Sequence, residues 1–299
     1  MAASPSPSVY GGNVTFTATV NPNGVLSNPT GTVTFTDGST TLGSASITGS
    51  GPFTASFSIN SLPAGTHSIT ATFNGDNIFD VSLSAPLSLV VNPAPLTITA
   101  DDKTKLLNAP NPALTATYSG FVLGEGPSVL SGVLNCTTTA VTNSFVGSYP
   151  ITCSGQTSTN YAITYVPGTL HVIFEPSGLV DGEPSHVILQ PVAADGTSVF
   201  KAGRTVPLKF RVGDADGNSI GTPGTIASFR IISVTTGTVT TPVDLPPSST
   251  TPDTSFRFDP TAQQWIFNLN TSGLSAGSTY VFRIGLADGS NIDFQFGLR

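Results

Sequence analysis

Gly65-Thr-His-Ser-Ile-Thr-Ala-Thr-Phe73 reads as a half-buried β-strand, because Ile69, Ala71 and Phe73 fall on one face and Thr70 and Thr72 on the other. The signature is a Gly followed by a hydroxyl residue that opens an alternating strand. It returns at Gly147-Ser-Tyr-Pro-Ile-Thr-Cys-Ser-Gly155 and at Gly277-Ser-Thr-Tyr-Val-Phe-Arg-Ile-Gly-Leu286. In the third copy Tyr280, Phe282, Ile284 and Leu286 share the inner face. A late strand with a Gly turn before it and one more strand after it is how a β-sandwich closes. Three copies therefore predict three sandwiches in series.

Composition agrees with that reading. The 299 residues suffice for three domains that each bury a core. With 31 Gly and 24 Pro the chain is turn-rich, and only 9% of residues are charged, so Thr, Ser and Asn must cover the surface. That suits an extracellular or cell-surface β protein. The net charge of −7 divides into −3, −1 and −3 over residues 1–92, 93–174 and 175–299. No basic face is available for nucleic acid. No apolar run nears the roughly 20 residues of a membrane span, and Met1-Ala-Ala-Ser4 has no signal-peptide character.

In residues 1–92 the run Val14, Phe16, Ala18 and Val20 forms one inner face, and Phe53, Ala55, Phe57 and Ile59 another. Asp37-Gly38 supplies a hairpin turn. Asn92-Pro93-Ala94-Pro95 resists sheet continuation and predicts a boundary. Residues 174–185, with acids, Pro and Gly, read as a linker. Beyond it Val206, Leu208, Phe210 and Val212 point inward, as do Trp265, Phe267 and Leu269, and Ile292, Phe294, Phe296 and Leu298. The fold class is thus all-β: three tandem Ig-like antiparallel β-sandwich domains at residues 1–92, 93–173 and 186–299.

Cys136 and Cys153 fall in the middle domain with a turn signal, Val146-Gly147-Ser148, between them. On the residues alone a bridge and two buried thiols both stand open. Adjacent strands would hold a bridge with Cα atoms about 5.5–6 Å apart.

Three stretches carry a family resemblance. Ser8-Val-Tyr-Gly-Gly-Asn-Val14 with its strand, Gly31 to Ala45, Leu62 to Phe79 and Ala85 to Val91 resemble the bacterial Ig-like repeat domains of large secreted and surface proteins. The stretches Leu96 to Glu125, Asn135 to Ala140, Val146 to Gly155 and Asn160 to Val172 resemble the MBG-type domain, with the usual acidic and Tyr-containing turn altered to Lys105-Leu106-Leu107-Asn108. Pro207-Leu208-Lys209-Phe210 resembles a bacterial C-terminal module named for its P-x-K-F motif. The resemblance implies a non-enzymatic extracellular structural protein, a subunit of a surface stalk or fibre. The alternative is an adhesin or a carbohydrate-binding appendage of a larger secreted protein. It also favours the Cys136–Cys153 bridge, since some members place cysteines at these strand positions. Family members carry a Thr-rich strand before the Ser4-Pro-Ser-Pro-Ser8 stretch, and here that strand is expected to be missing or very short.

No catalytic constellation is found, and no metal or cofactor is predicted. Asp214-Ala-Asp216-Gly-Asn218 has oxygens at alternate positions, but Gly217 stands fourth instead of sixth and Thr225 twelfth where a calcium loop needs Glu. A hairpin is expected there. His67, His171 and His186 lie in separate segments and are expected to be solvated or at strand edges. Asp101-Asp102 predicts a turn, and Trp265 is expected in the core and not on a sugar-stacking platform. Asn13, Asn135 and Asn270 head N-x-Ser/Thr sequons and are candidate glycosylation sites.

Self-association is the remaining expectation. Residues 1–92 hold no Lys or Arg, and their only acids are Asp37, Asp76 and Asp80. Edge strands without charge are poorly protected from pairing with another chain. A missing first strand would leave a groove for a neighbouring subunit's strand, giving head-to-tail polymerisation. A truncated first strand with an ordinary Thr-rich surface is the competing account.

Overall fold

The computed structural model describes residues 1–24, 27–180, 182–249 and 255–299. These are all-β, with one short 3-10 turn at Pro127–Val129. They gather into two compact units. The first holds Met1–Asp101, Thr115–Thr137 and Thr152–Pro167, and the second holds Asp102–Leu114, Thr138–Ile151 and Gly168–Arg299.

In the first unit, Val14–Val20 lies between Ala2–Ser4 and Phe53–Ile59 in an antiparallel sheet. A second sheet runs Ser8–Val9, Leu87–Asn92, Gly65–Phe73, Thr32–Asp37, Thr40–Ser46. Their inner faces supply the alternating residues expected: Val14, Phe16 and Ala18 from one, Val33, Phe35, Ile69, Ala71, Phe73, Leu89 and Val91 from the other, all buried. Phe16 and Phe35 stack at 6.2 Å. Burying one such ring contributes about 1.5–3 kcal/mol. A third sheet has Ala94–Ala100 between Ala116–Ser119 and Tyr161–Val166.

Of the two expectations for the first strand, missing or very short, the second holds: it is three residues long. Ala2, Ala3 and Ser4 pair with Thr17, Phe16 and Thr15, and Ser8–Val9 then joins the other sheet parallel to Val91–Asn92. Pro5 and Pro7 lack an N–H and fix φ, so the chain leaves one sheet there and enters the next. The groove that a donated strand would fill is thus occupied by the chain's own residues.

The same change of sheet recurs at the start of each segment, and it adds parallel pairs to a topology expected to be antiparallel throughout. In the second unit Lys103–Leu106 runs parallel to Gly168–Ile173, and Val199–Phe200 parallel to Asn291–Leu298. The larger sheets there have the orders Ile188–Leu189, Thr205–Phe210, Gln264–Asn270, Ser248–Ser249, and Val199–Phe200, Asn291–Leu298, Ser278–Leu286, Ile226–Thr236, Val239–Leu245. Leu208, Phe210, Trp265, Phe267 and Leu269 pack in one core with Phe282, Ile284, Phe294 and Phe296. Phe282 stacks on Phe294 at 5.1 Å and on Phe296 at 4.9 Å.

Residues 174–185 are not a free linker. Leu179–Val180 and Glu183–Pro184 pair as a small hairpin, and Phe174 and Val180 have no exposed surface. Composition suggested a solvated joint, yet Phe174 joins the core and Val180 is buried, while Leu179 stays exposed.

Candidate functional site

The most elaborate polar chemistry in each unit lies where consecutive segments meet. In the first unit the Tyr10 hydroxyl donates to Glu125 Oε1 at 2.8 Å, and the Tyr161 hydroxyl donates to Glu125 Oε2 at 2.5 Å. The Val122 N–H donates to the Tyr161 oxygen at 3.1 Å. The two rings meet edge to face at 5.5 Å, and Phe121 packs edge-on to Tyr161 at 5.3 Å. Burial, then the Glu125 carboxylate, pushes the Tyr10 phenol up to about 12, and the same two causes raise Tyr161. Tyr10 is carried into place by the Ser8–Val9 strand and an N–H bond to the Asn92 carbonyl. Gly11 follows at φ +78°, and a Cβ there would come within 2.5 Å of Val122 Cγ2, so only Gly permits the approach.

A second feature is shared by both units. The loops after the second and third landmark strands each take the first backbone N–H beyond the preceding segment's last strand. After Gly147–Thr157 the Asn160 carbonyl accepts from Ala94 N–H at 2.9 Å, and Asn160 Oδ1 accepts from Ala64 N–H at 2.9 Å. After Ser278–Leu286 the Asp288 Oδ2 accepts from Phe174 N–H at 3.0 Å, and Ser290 Oγ lies 3.2 Å from His186 Nε2. Ala94 is 2% exposed and Phe174 is fully buried. At the joint Asn92–Pro95 Ala94 is buried with its N–H bonded, while Asn92, Pro93 and Pro95 stay exposed.

In the second unit Lys105 is 5% exposed, and its ammonium donates to three carbonyls, Ala109 at 2.9 Å, Val141 at 2.7 Å and Thr142 at 3.0 Å. Burial lowers its pKa. Sequence reasoning placed this stretch in a loop. The missed signal is the strand alternation in which Lys105 and Leu107 share the buried face.

The residues singled out from sequence are distributed as follows. Cys136 and Cys153 form a disulfide on neighbouring strands of one sheet, as expected, but with Cα atoms 4.0 Å apart, closer than the expected separation of about 5.5–6 Å. In the chain-entropy model a loop of this size is worth about 3 kcal/mol. Asn13 and Asn135 are exposed, while Asn270 is half-buried and its Oδ1 accepts from Ser272 N–H. Asp214 is 2% exposed and its carboxylate accepts from Asn218, Asp216 and Asn108, the arrangement of a structural turn. Asp101 accepts from Thr115 and Thr117 hydroxyls, and Asp102 accepts from Thr169 N–H. Trp265 is in the core, 6% exposed, with its indole N–H bound to the Ile220 carbonyl at 2.8 Å. Beside it opens a cleft of about 490 Å³ lined by Pro223, Phe229, Pro246, Phe256 and Phe267.

The histidines differ from expectation in two of three cases. His171 is exposed, but His67 is 8% exposed because the alternation of Ile69, Ala71 and Phe73 continues back to it. Its Nδ1 lies 2.7 Å from Asp37 Oδ2 and its Nε2 2.9 Å from the Pro63 carbonyl. Both partners accept, so both hydrogen bonds are satisfied together only when both nitrogens carry a proton. Burial pushes the pKa down, yet these hydrogen bonds outweigh it and hold it above 6.5. Burial wins at half-buried His186 and holds its pKa below 6.5, against Asp288 and Glu175. Opposite pH responses follow. His67 stabilises fully below 6.5 and loses this as pH rises through its raised folded value. His186 favours the folded state above 6.5 and loses this as pH falls through its lowered folded value. In thermal melts from pH 5 to 9, the advantage of wild type over His67→Gln should shrink with rising pH, and that over His186→Asn should grow. Differences flat across the range would refute both assignments.

Among the described residues no three His, Cys, Asp or Glu side chains group as a metal site, and no helix is long and apolar enough to cross a membrane. Residues 1–92 match the model of the bacterial Ig-like domain (group 3), and residues 96–171 match that of the MBG domain (YGX type). No curated protein sequence matches the chain. Among solved structures, immunoglobulin domains 1–4 of Sidekick-1 share 12% identity over 95% of this chain and 71% of that one, with a TM-score of 0.26. A Bacteroides ovatus SGBP-B from a mixed-linkage glucan utilization locus, solved with a mixed-linkage heptasaccharide, shares 16% over 97% of this chain and 64% of that one, at 0.19. Drosophila N-cadherin EC1-4 shares 9% over 98% and 71%, at 0.17. Scores this low carry no argument about ligand or partner.

Proposed function

We propose that this chain, with a bacterial Ig-like domain at residues 1–92 and an MBG domain at residues 96–171, is a non-enzymatic structural element of an extracellular or surface-exposed bacterial protein. A β-sandwich at residues 186–299 completes three tandem domains. The observation that supports a spacer role is the closure of the junctions. Tyr10, Glu125 and Tyr161 lock one, and at the other Asn108 donates to Asp214 and the Leu107 carbonyl accepts from Ala215 N–H. Segments joined through buried side chains resist bending at the joint, whereas exposed polar linkers swing freely. Asn13 and Asn135, whose side chains are exposed, are the sequons this reading leaves open to glycosylation.

The second reading, an adhesin or carbohydrate-binding appendage, is supported by the aromatic cleft beside Trp265. It is weakened by the burial of the Trp265 ring and the engagement of its N–H. A glycan array probed with the intact chain separates the two. The spacer reading expects no retained signal, and saturable binding to one glycan class would replace it with the appendage.

A further inference from the structure

The chain holds two Asn-Gly dipeptides, Asn23-Gly24 and Asn74-Gly75, and both asparagines are exposed. An Asn before Gly carries an electrophile and a nucleophile side by side, its own amide carbon and the next backbone nitrogen. A Gly has no Cβ to shield that nitrogen, and it takes up backbone angles that bring the two together. By sequence the two dipeptides are alike, and the structure separates them. At Asn74 the side chain is tied away from its neighbour: its Nδ2 donates to Thr32 Oγ1 and to Thr34 Oγ1, each at 2.9 Å, and its backbone N–H donates to the Thr32 carbonyl at 3.1 Å. Gly75, at φ +78°, is closely packed as well, since a Cβ there would stand 3.2 Å from the Phe79 carbonyl oxygen and 3.3 Å from the Val81 nitrogen. Asn23 has neither restraint. Its backbone N–H donates to Asn21 Oδ1 at 3.1 Å, but among the described residues its side-chain amide makes no hydrogen bond. Around Gly24, at φ +84°, nothing lies within 4 Å of where a Cβ would stand.

We propose that Asn23 is a site of spontaneous deamidation and that Thr32 and Thr34 protect Asn74 from the same reaction. The Gly24 nitrogen attacks Asn23 Cγ, and the new C–N bond closes a succinimide ring. The Cγ–Nδ2 bond breaks, and ammonia leaves with the proton given up by the Gly24 nitrogen. Water then opens the ring at either carbonyl and leaves an aspartyl residue or its β-linked isomer. Each event adds a negative charge, and the β-linked product also adds a carbon to the main chain, within the loop that joins Val14–Val20 to Thr32–Asp37. The open space around Gly24 lets the loop absorb both changes without disturbing the buried faces of those strands. At Asn74 the same step requires two hydrogen bonds to break and a close-packed loop to shift before the ring can close. This inference is independent of the structural-element reading above.

The test is peptide mapping by mass spectrometry after the intact chain has been held in warm, mildly alkaline buffer, once native and once in denaturant. In the native chain Asn23 should convert about tenfold faster than Asn74 or more, because two hydrogen bonds oppose ring closure at Asn74 alone. In denaturant the two rates should converge, since the restraint belongs to the fold. The converted protein, separated by ion exchange as a more acidic species, should keep the melting temperature of the starting material, and Asn23→Gln should abolish that species. Thr32→Val combined with Thr34→Val should speed conversion at Asn74 in the folded chain and leave Asn23 unchanged. Equal native rates at Asn23 and Asn74 would overturn the proposal, as would a native Asn23 that converts far more slowly than in denaturant. An Asn74 rate unmoved by the double threonine variant would overturn the protective role of Thr32 and Thr34.

Discussion

Replacing Tyr161 by Ala should lower the melting temperature of residues 1–92 together with that of the sheet in which Tyr161 lies, in one transition. Tyr161 belongs to the strand Tyr161–Val166, far from residues 1–92 in sequence, yet it is 3% exposed in the same core as Phe16, Phe35 and Leu96. Removing the ring leaves a cavity against Tyr10 and Phe121 and costs roughly 3–5 kcal/mol. Glu125 also loses one of its two tyrosyl donors. For a unit of this size the shift is about ten degrees or more. Tyr161→Phe keeps the ring and removes only the donor, and should cost about 1–2 kcal/mol. Calorimetry supplies the number, and limited proteolysis tests the coupling. Ala94 is buried and its N–H is bonded, so a broad-specificity protease should not release residues 1–92 from wild type but should do so from Tyr161→Ala near its melting point. Release at Asn92–Pro95 from native wild type, or two separate transitions, would show that the segments fold independently.

The strands were legible because their burial is alternate. Ile69, Ala71 and Phe73, the run from Val206 to Val212, and Tyr280 to Leu286 all point where a period of two places them. For the disulfide the residues alone left a bridge and two thiols open, and only the family resemblance favoured the Cys136–Cys153 pairing that the structure holds. What escaped the sequence were contacts between segments. Pro93 and Pro95 mark a chain that cannot donate hydrogen bonds, and this looks the same whether Ala94 between them is solvated or buried with its N–H bonded to Asn160. The first strand, expected to be missing or very short, is very short, and the sequence could not tell the two apart. Ala2–Ser4 is three small residues long, with too few side chains for a periodic signal, and only its main-chain pairing with Thr15–Thr17 reveals it. His67 and Lys105 were read by residue type when their register already placed them on inward faces. Hydrophobic pattern reports burial of a face, but it does not report which polar groups wait there as partners.

Lys105→Met should destabilise the second unit by about 3 kcal/mol, which makes this one of the most sensitive surface-type residues in the chain. The usual expectation for a lone Lys on a short strand is a solvated ammonium whose loss changes stability by less than about 0.5 kcal/mol. Here the ammonium is enclosed, and its donors point at the Ala109, Val141 and Thr142 carbonyls. These acceptors come from two separate turns, the one after Lys103–Leu106 and the one before Gly147–Thr157. A hydrogen bond to a charged group is worth about 1.5–3 kcal/mol, and a buried acceptor left without a donor costs about 1–3 kcal/mol. Against these stands relief of the ammonium's own desolvation, the effect that lowers its pKa. Met preserves the length and apolar stem of the side chain, so the measured change isolates the head group. The melting temperature should fall by several degrees, and hydrogen exchange should quicken first at the amides of residues 139–146, which the Lys105 head group ties to Lys103–Leu106. Acetylation of the amine in the unfolded chain before refolding should have the same effect, because it removes two donors and adds bulk. A Lys105→Met protein within about 0.5 kcal/mol of wild type would mean that water serves the three carbonyls as well as the ammonium does.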